Sequence, residues 1–145
     1  MVRLATKEDI DILADMALEF ALPFEHDRIS IKMFMARLIS SPAHILMVSE
    51  DDRGITGSIA GGTSPWMFNF DITVLHEMWW FVPKKFREHR SPAFPLFKAL
   101  MKWGKDEGAT MRVISSTERE ESPRVIKFYK KLGLTLMDHN YVGGF

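Results

Sequence analysis

The apolar positions of the chain switch between helical and strand spacing in a definite order. Residues 2–5 read as a short strand. Thr6, with Asp9 three residues on, marks a helix start that is a weaker relative of the capping box. Ile10, Leu13, Met16, Ala17 and Phe20 then recur at spacings of three and four, which predicts one buried face, and Pro23 ends the run. A second helix is predicted from Ser30, with Ile31, Phe34, Met35 and Leu38 inward, ending near Pro42. Strands follow at 44–49, at 55–62 after the polar turn Asp51-Asp52-Arg53-Gly54, and at 72–82. Residues 55–62 are small throughout, which predicts close backbone neighbours. Residues 63–71, with Trp66, Phe68 and Phe70, read as a loop or hairpin tip. The run 72–82 is interrupted only by His76 and Glu77, the pattern of a strand covered on both faces.

Ser91-Pro92 and Ser122-Pro123 each place an N-cap before a proline at the first helical position. The first pair opens a helix to Gly108, with Phe94, Phe97, Leu100, Met101 and Trp103 inward. The second opens a helix that Gly133 closes. Further strands are predicted at 111–115, 134–137 and 141–142. The order β-α-α-β-β-β-α-β-α-β-β implies an α/β (α+β) fold, a sheet with helices on its faces.

Composition narrows the function. The 145 residues suit one domain, 1–145, large enough to bury a core unaided. Nineteen basic residues against 19 acidic ones argue against a general nucleic-acid or anionic-membrane binder. No apolar run approaches the roughly 20 residues of a membrane span, and the first residues are too polar for a signal peptide. Without cysteine there is no disulfide, thiolate metal site or cysteine nucleophile, and the cytoplasm is the expected compartment. The histidines at 26, 44, 76, 89 and 139 lack the spacing of a zinc site, so no metal is expected.

Three segments carry a resemblance. VRLATKEDIDIL looks like an opening strand and helix, WWFV followed by KKFREHRSPAF like a pyrophosphate-binding segment, and SPRVIKFYKKLGL like an Asn-x-x-Ala-x-x-Phe-Tyr-x-Lys-x-Gly-Phe helix. With the element order, they make the chain similar to the GNAT superfamily of N-acetyltransferases. The resemblance implies a mixed, twisted sheet of about seven strands flanked by four helices. It also implies acetyl-coenzyme A as cosubstrate, a small-molecule or protein amine as acceptor, and direct attack in a ternary complex. A homodimer is compatible with it. The rival reading is an inactive chain of the same fold, serving as a binding or structural component of a larger assembly, such as a phage one.

The resemblance also assigns residues. Arg87 matches the leading Arg or Gln of the phosphate segment, and Glu88, His89, Arg90 and Ser91 lead into the helix. A helix start seats a diphosphate through unpaired N–H groups, and glycines let the backbone approach. Here Arg90 and Pro92 fill the two glycine positions, and Pro92 and Pro95 carry no N–H. Lys84, Lys85, Arg87 and Arg90 offer side-chain cations instead. Backbone groups of Phe81 and Val82 are expected to pair with the pantetheine arm as an added strand would. Tyr129 matches the tyrosine that protonates the departing thiolate, and Ser122 the asparagine position. Glu77 is the candidate base; strict alternation would put it on one face with Trp79, and His76 on the other. Phe24, Glu25, Trp66 and Trp79 are the candidate acceptor contacts.

Overall fold

The first helix begins where Thr6 and Asp9 predict it. The structure is a computed structural model that describes residues 1–19, 25–87, 91–115 and 123–135, in two compact units, Met1–Ser115 and Ser116–Phe145. Strand β1, Val2–Leu4, leads through a 3-10 turn at Lys7–Asp9 into helix α1, Ile10–Leu18. The Thr6 N–H donates to Asp9 Oδ2 at 2.8 Å, and Arg3 forks onto the same carboxylate at 2.7 and 3.0 Å. The Arg3 guanidinium holds the Asp9 carboxyl below its ordinary pKa despite burial. Leu13, Ala14, Met16 and Ala17 form the buried face; Phe20 lies outside the described residues.

Helix α2 spans Arg28–Ser40 and starts two residues before the predicted Ser30. Asp27 takes the N-cap because its carboxylate accepts from the N–H groups of both Ile29 and Ser30, at 3.2 and 2.9 Å. Met35 and Leu38 are buried as predicted, whereas Phe34 is 37% exposed.

Strands β2 (His44–Asp51), β3 (Gly54–Trp66), β4 (Asn69–Phe81) and β5 (Met111–Val113) complete a sheet of order β1-β2-β3-β4-β5. Three pairings are antiparallel, and β4 with β5 is parallel. Residues 63–71 take the hairpin-tip alternative: strand continues on both sides, only Met67 and Phe68 turn the chain, and the flanking aromatics suit a pleated hairpin. Among the described residues the sheet has five strands rather than about seven. Leu134 and Thr135 carry no strand, and the rest of 134–137 and all of 141–142 lie outside the described residues.

Helices α1 and α2 cover one face, around Leu13, Met35, Val48, Ala60 and Phe81. Helix α3, Ala93–Asp106, covers the other, around Ile59, Leu75, Leu96 and Leu100. The small residues of β3 set that approach. A Cβ on Gly57 would stand 3.1 Å from Leu96 Cδ1, and one on Gly61 2.8 Å from Leu100 Cδ1. Leu96, Phe97, Leu100 and Gly104 therefore make the buried stripe, and the predicted inward Phe94 is 45% exposed beneath Lys98. The second unit holds helix α4, Pro123–Lys131. Gly133, at φ 72°, ends it as predicted, with Gly133 N–H donating to the Lys130 carbonyl and Leu134 N–H to the Tyr129 carbonyl, both at 3.0 Å.

Candidate active site

Strand β4 leaves β5 at the residue before Glu77. The parallel ladder pairs Val74 with Met111, Leu75 with Arg112 and His76 with Val113, and goes no further. On its other edge β4 has a bulge: Gly61 pairs with Glu77 and Ala60 with Trp79, so Met78 is the extra residue. A bulge bends its strand and raises the local twist, which separates β4 from a parallel neighbour. Among the described residues the β4–β5 ladder thus ends five residues before the end of β4.

The bulge also corrects the expected alternation. Gly61 and Ala60 face opposite sides, so Glu77 and Trp79 do too. Trp79 packs on the α1–α2 side, its indole N–H donating to Ser58 Oγ at 2.7 Å. Trp80 stacks on Phe97 of α3, with ring centres 5.4 Å apart. The two tryptophans anchor the end of β4 between both helical layers. His76 is half-buried, with Nε2 3.1 Å from Ser64 Oγ.

Glu77 is half-buried, and its Oε2 accepts the Ser115 N–H at 3.1 Å, two residues beyond the end of β5. The carboxylate bridges the strands where their backbone ladder stops. Burial pushes its pKa up to about 7, and the Ser115 hydrogen bond opposes that rise only in part. Among the described residues, no three His, Asp or Glu side chains converge as a metal site requires.

Beyond β4 the chain turns through Lys84–Phe86. Arg87 folds back: its Nε donates to the Val82 carbonyl at 2.8 Å, and its guanidinium lies 5.8 Å from the Phe81 ring centre. One backbone acceptor expected for the cosubstrate arm is therefore already engaged, although a carbonyl keeps a second lone pair. The expected pair, Ser91 as N-cap and Pro92 as first helical residue, shifts by one: α3 begins at Ala93 with Pro92 in the cap position, and Ser91 Oγ accepts the Ala93 N–H at 3.4 Å. The first helical backbone bond runs from Leu96 N–H to the Pro92 carbonyl, because Pro95 has no N–H to return to Ser91.

Phe24, Glu88, His89, Arg90 and Ser122 lie outside the described residues. Glu25 is exposed just before α2. Trp66 packs edge-on against Phe68 at 5.6 Å, at the hairpin tip. Its neighbour Pro65 pairs with Thr73, four residues along β4 from Glu77 and so about 13 Å away at the rise of a strand. The second unit carries Tyr129, half-buried in the last turn of α4, its ring 6.1 Å from that of Phe128. The Gly133 cap fixes that turn, since the Tyr129 carbonyl accepts both Leu132 and Leu134 N–H groups at 3.0 Å.

Sequence reasoning missed two groups. The Ser115 N–H left no trace in residue identity, since a backbone donor reads the same at every position. Arg53, read as part of a polar turn, stands over the Phe86 ring at 5.0 Å. The antiparallel course of two neighbouring strands was the available signal for that contact.

No protein-family profile and no curated protein matches the chain. Solved structures do. A transcriptional regulator from Bacillus halodurans C-125 superposes with a TM-score of 0.83 at 14% identity, over 100% of this chain and 99% of that one. Glucosamine-6-phosphate N-acetyltransferase from Arabidopsis thaliana gives 0.78 at 14% identity, over 100% and 97%. A predicted acetyltransferase from Clostridium acetobutylicum, solved with acetyl-CoA, gives 0.76 at 13% identity, over 99% and 95%. The fold is that of the GNAT acetyltransferases. At these identities the likeness is one of GNAT architecture, and the chemistry rests on the residues. No helix among the described residues is long and apolar enough to cross a membrane.

Proposed function

We propose that the chain transfers an acetyl group from acetyl-coenzyme A to a primary amine by direct attack in a ternary complex. The observation that carries this reading is Glu77: a carboxylate with a pKa near 7, set where β4 and β5 part. Such a group is half ionised near neutrality, the condition under which a general base accepts a proton most effectively. Glu77 takes the proton of the attacking ammonium, directly or through a water. Tyr129 gives its phenolic proton to the departing sulfur, uphill by roughly 1.5 units between ordinary tyrosine and thiol pKa values, a gap that hydrogen bonding in a tight site can cover.

The residues present fit the cosubstrate. Phe81 and Val82 lie beyond the point where, among the described residues, the β4–β5 ladder ends, and their backbone groups meet the extended arm as they would an added strand. Lys84, Arg87 and Arg90 supply cations for its diphosphate, with Ser91, Glu88 and His89 alongside. Pro92 and Pro95 remove two of the N–H groups that a first helical turn ordinarily offers, so side chains carry more of the affinity here. Phe24, Glu25 and Trp66 contact the acceptor, which is a small molecule or a protein amine.

A second reading has its own support. Arg90 and Pro92 in the glycine positions, with Arg87 already bonded to Val82, suit a chain that keeps the architecture but has lost the cosubstrate and serves as a binding component of a larger assembly. The test is thiol release from acetyl-coenzyme A with a panel of aminoglycosides, polyamines, amino sugars and lysine peptides. Release that depends on one acceptor class supports transfer. No release above background with any of them supports the second reading.

A further inference from the structure

The turn after β2 and the loop after β4 stand at the same end of the sheet. β3 begins at Gly54 and runs antiparallel to β4, whose Phe81 pairs with Ser58, so Arg53 precedes one strand just where Lys84–Phe86 follow the other. Across this junction the Arg53 guanidinium lies 5.0 Å from the Phe86 ring centre, and Lys85 Nζ lies 4.9 Å from the same centre. Two cations brought to one ring by separate segments repel each other, and an exposed cation–π contact offsets that only modestly. Asp51 holds the Arg53 Nε and Nη2 at 3.1 and 2.6 Å, so Nη1, which makes no hydrogen bond among the described residues, is the group Arg53 offers a ligand, and no carboxylate among those residues lies within ion-pair distance of Lys84, Lys85 or Arg87. Four cations against Asp51 and Asp52 leave this rim net positive.

A phosphate monoester suits such a rim: it is close to dianionic at neutral pH, and its three oxygens accept from both a guanidinium N–H and an ammonium. The half-buried Phe86 adds an apolar surface against which a nucleoside can pack. We propose that Arg53 and Lys85, held on Phe86, bind the 3′-phosphate at the nucleotide end of coenzyme A. This rests on the acetyl-coenzyme A reading above, and it makes Arg53, outside the segments that carry the sequence resemblance, a specificity-determining residue.

The test compares coenzyme A with dephospho-coenzyme A, which lacks only that phosphate, in equilibrium titrations of the full chain and its Arg53→Ala and Lys85→Ala variants. The unaltered chain should bind coenzyme A at least tenfold more tightly. Each variant should lose most of that preference while keeping its affinity for dephospho-coenzyme A within about threefold. Lys85 makes no ion pair among the described residues, so its variant reports binding without the loss of the Asp51 contact. No preference in the unaltered chain, or variants that weaken both ligands equally, would overturn the rim and leave the transferase reading standing. Failure of both ligands to bind at millimolar concentration would remove that reading, and this proposal with it.

Discussion

Glu77 accepts the Ser115 backbone N–H at 3.1 Å, across a gap that opens one residue earlier, where the His76–Val113 pair ends the β4–β5 ladder. A side chain links the two strands just past the last ladder pair among the described residues. That carboxylate keeps its proton to about pH 7 in the folded chain and to about 4.5 when the chain unfolds. The folded state therefore binds more protons between those values, and stability falls as pH rises through them. Glu77→Gln keeps an acceptor for Ser115 without the charge. Its melting temperature should match the parent near pH 4 and exceed it at pH 8, by a stability difference of up to about 3 kcal/mol. Equal melting temperatures at both pH values would show that Glu77 titrates normally.

The same titration sets the rate. With Glu77 as base, kcat/KM should climb with pH and level off above an apparent pKa of about 7. Glu77→Gln should lower the plateau roughly 10²-fold or more and remove that limb of the profile. A variant that keeps both limb and plateau would take Glu77 out of the reaction.

Tyr129→Phe removes one hydroxyl from a turn that the Gly133 cap holds through backbone bonds. Turnover should fall at least tenfold while cosubstrate affinity stays nearly constant. Steady-state kinetics with a parallel binding titration checks this, and unchanged turnover would end the proton-donor role.

Much of this was legible in the residues because local chemistry decided it. The Thr6–Asp9 start, the Gly133 stop and the small residues of β3 each follow from a rule about caps, positive φ or close approach. What was not legible depended on counting across strands. Strict alternation put Glu77 and Trp79 on one face, and a single extra residue, Met78, reversed it. Helix α2 starts ahead of Ser30 because the Asp27 carboxylate accepts two N–H donors at once, and Phe94 turned outward because Gly57 and Gly61 decide which face of α3 comes close.

Gly61 stands opposite Glu77 at the bulge, and a Cβ there would lie 2.8 Å from the His76 carbonyl oxygen. Backbone gives way less readily than a side-chain tip, so Gly61→Ala should destabilise the fold by about 1–3 kcal/mol. Thermal or urea unfolding measures it. A neutral result would mean that the bulge tolerates a wider strand separation than its register indicates.

Arg90→Gly restores one glycine of the phosphate segment and removes one cation. If side chains carry the diphosphate, affinity for acetyl-coenzyme A should drop about tenfold, the worth of one charge-assisted contact. Tighter binding would mark the arginine as an obstacle.

Calorimetric titration of the unaltered chain with acetyl-coenzyme A puts the whole account at risk in one experiment. A saturable, one-to-one isotherm with a micromolar Kd is the predicted result. Absence of heat at millimolar ligand would contradict it, leaving a GNAT fold without its cosubstrate.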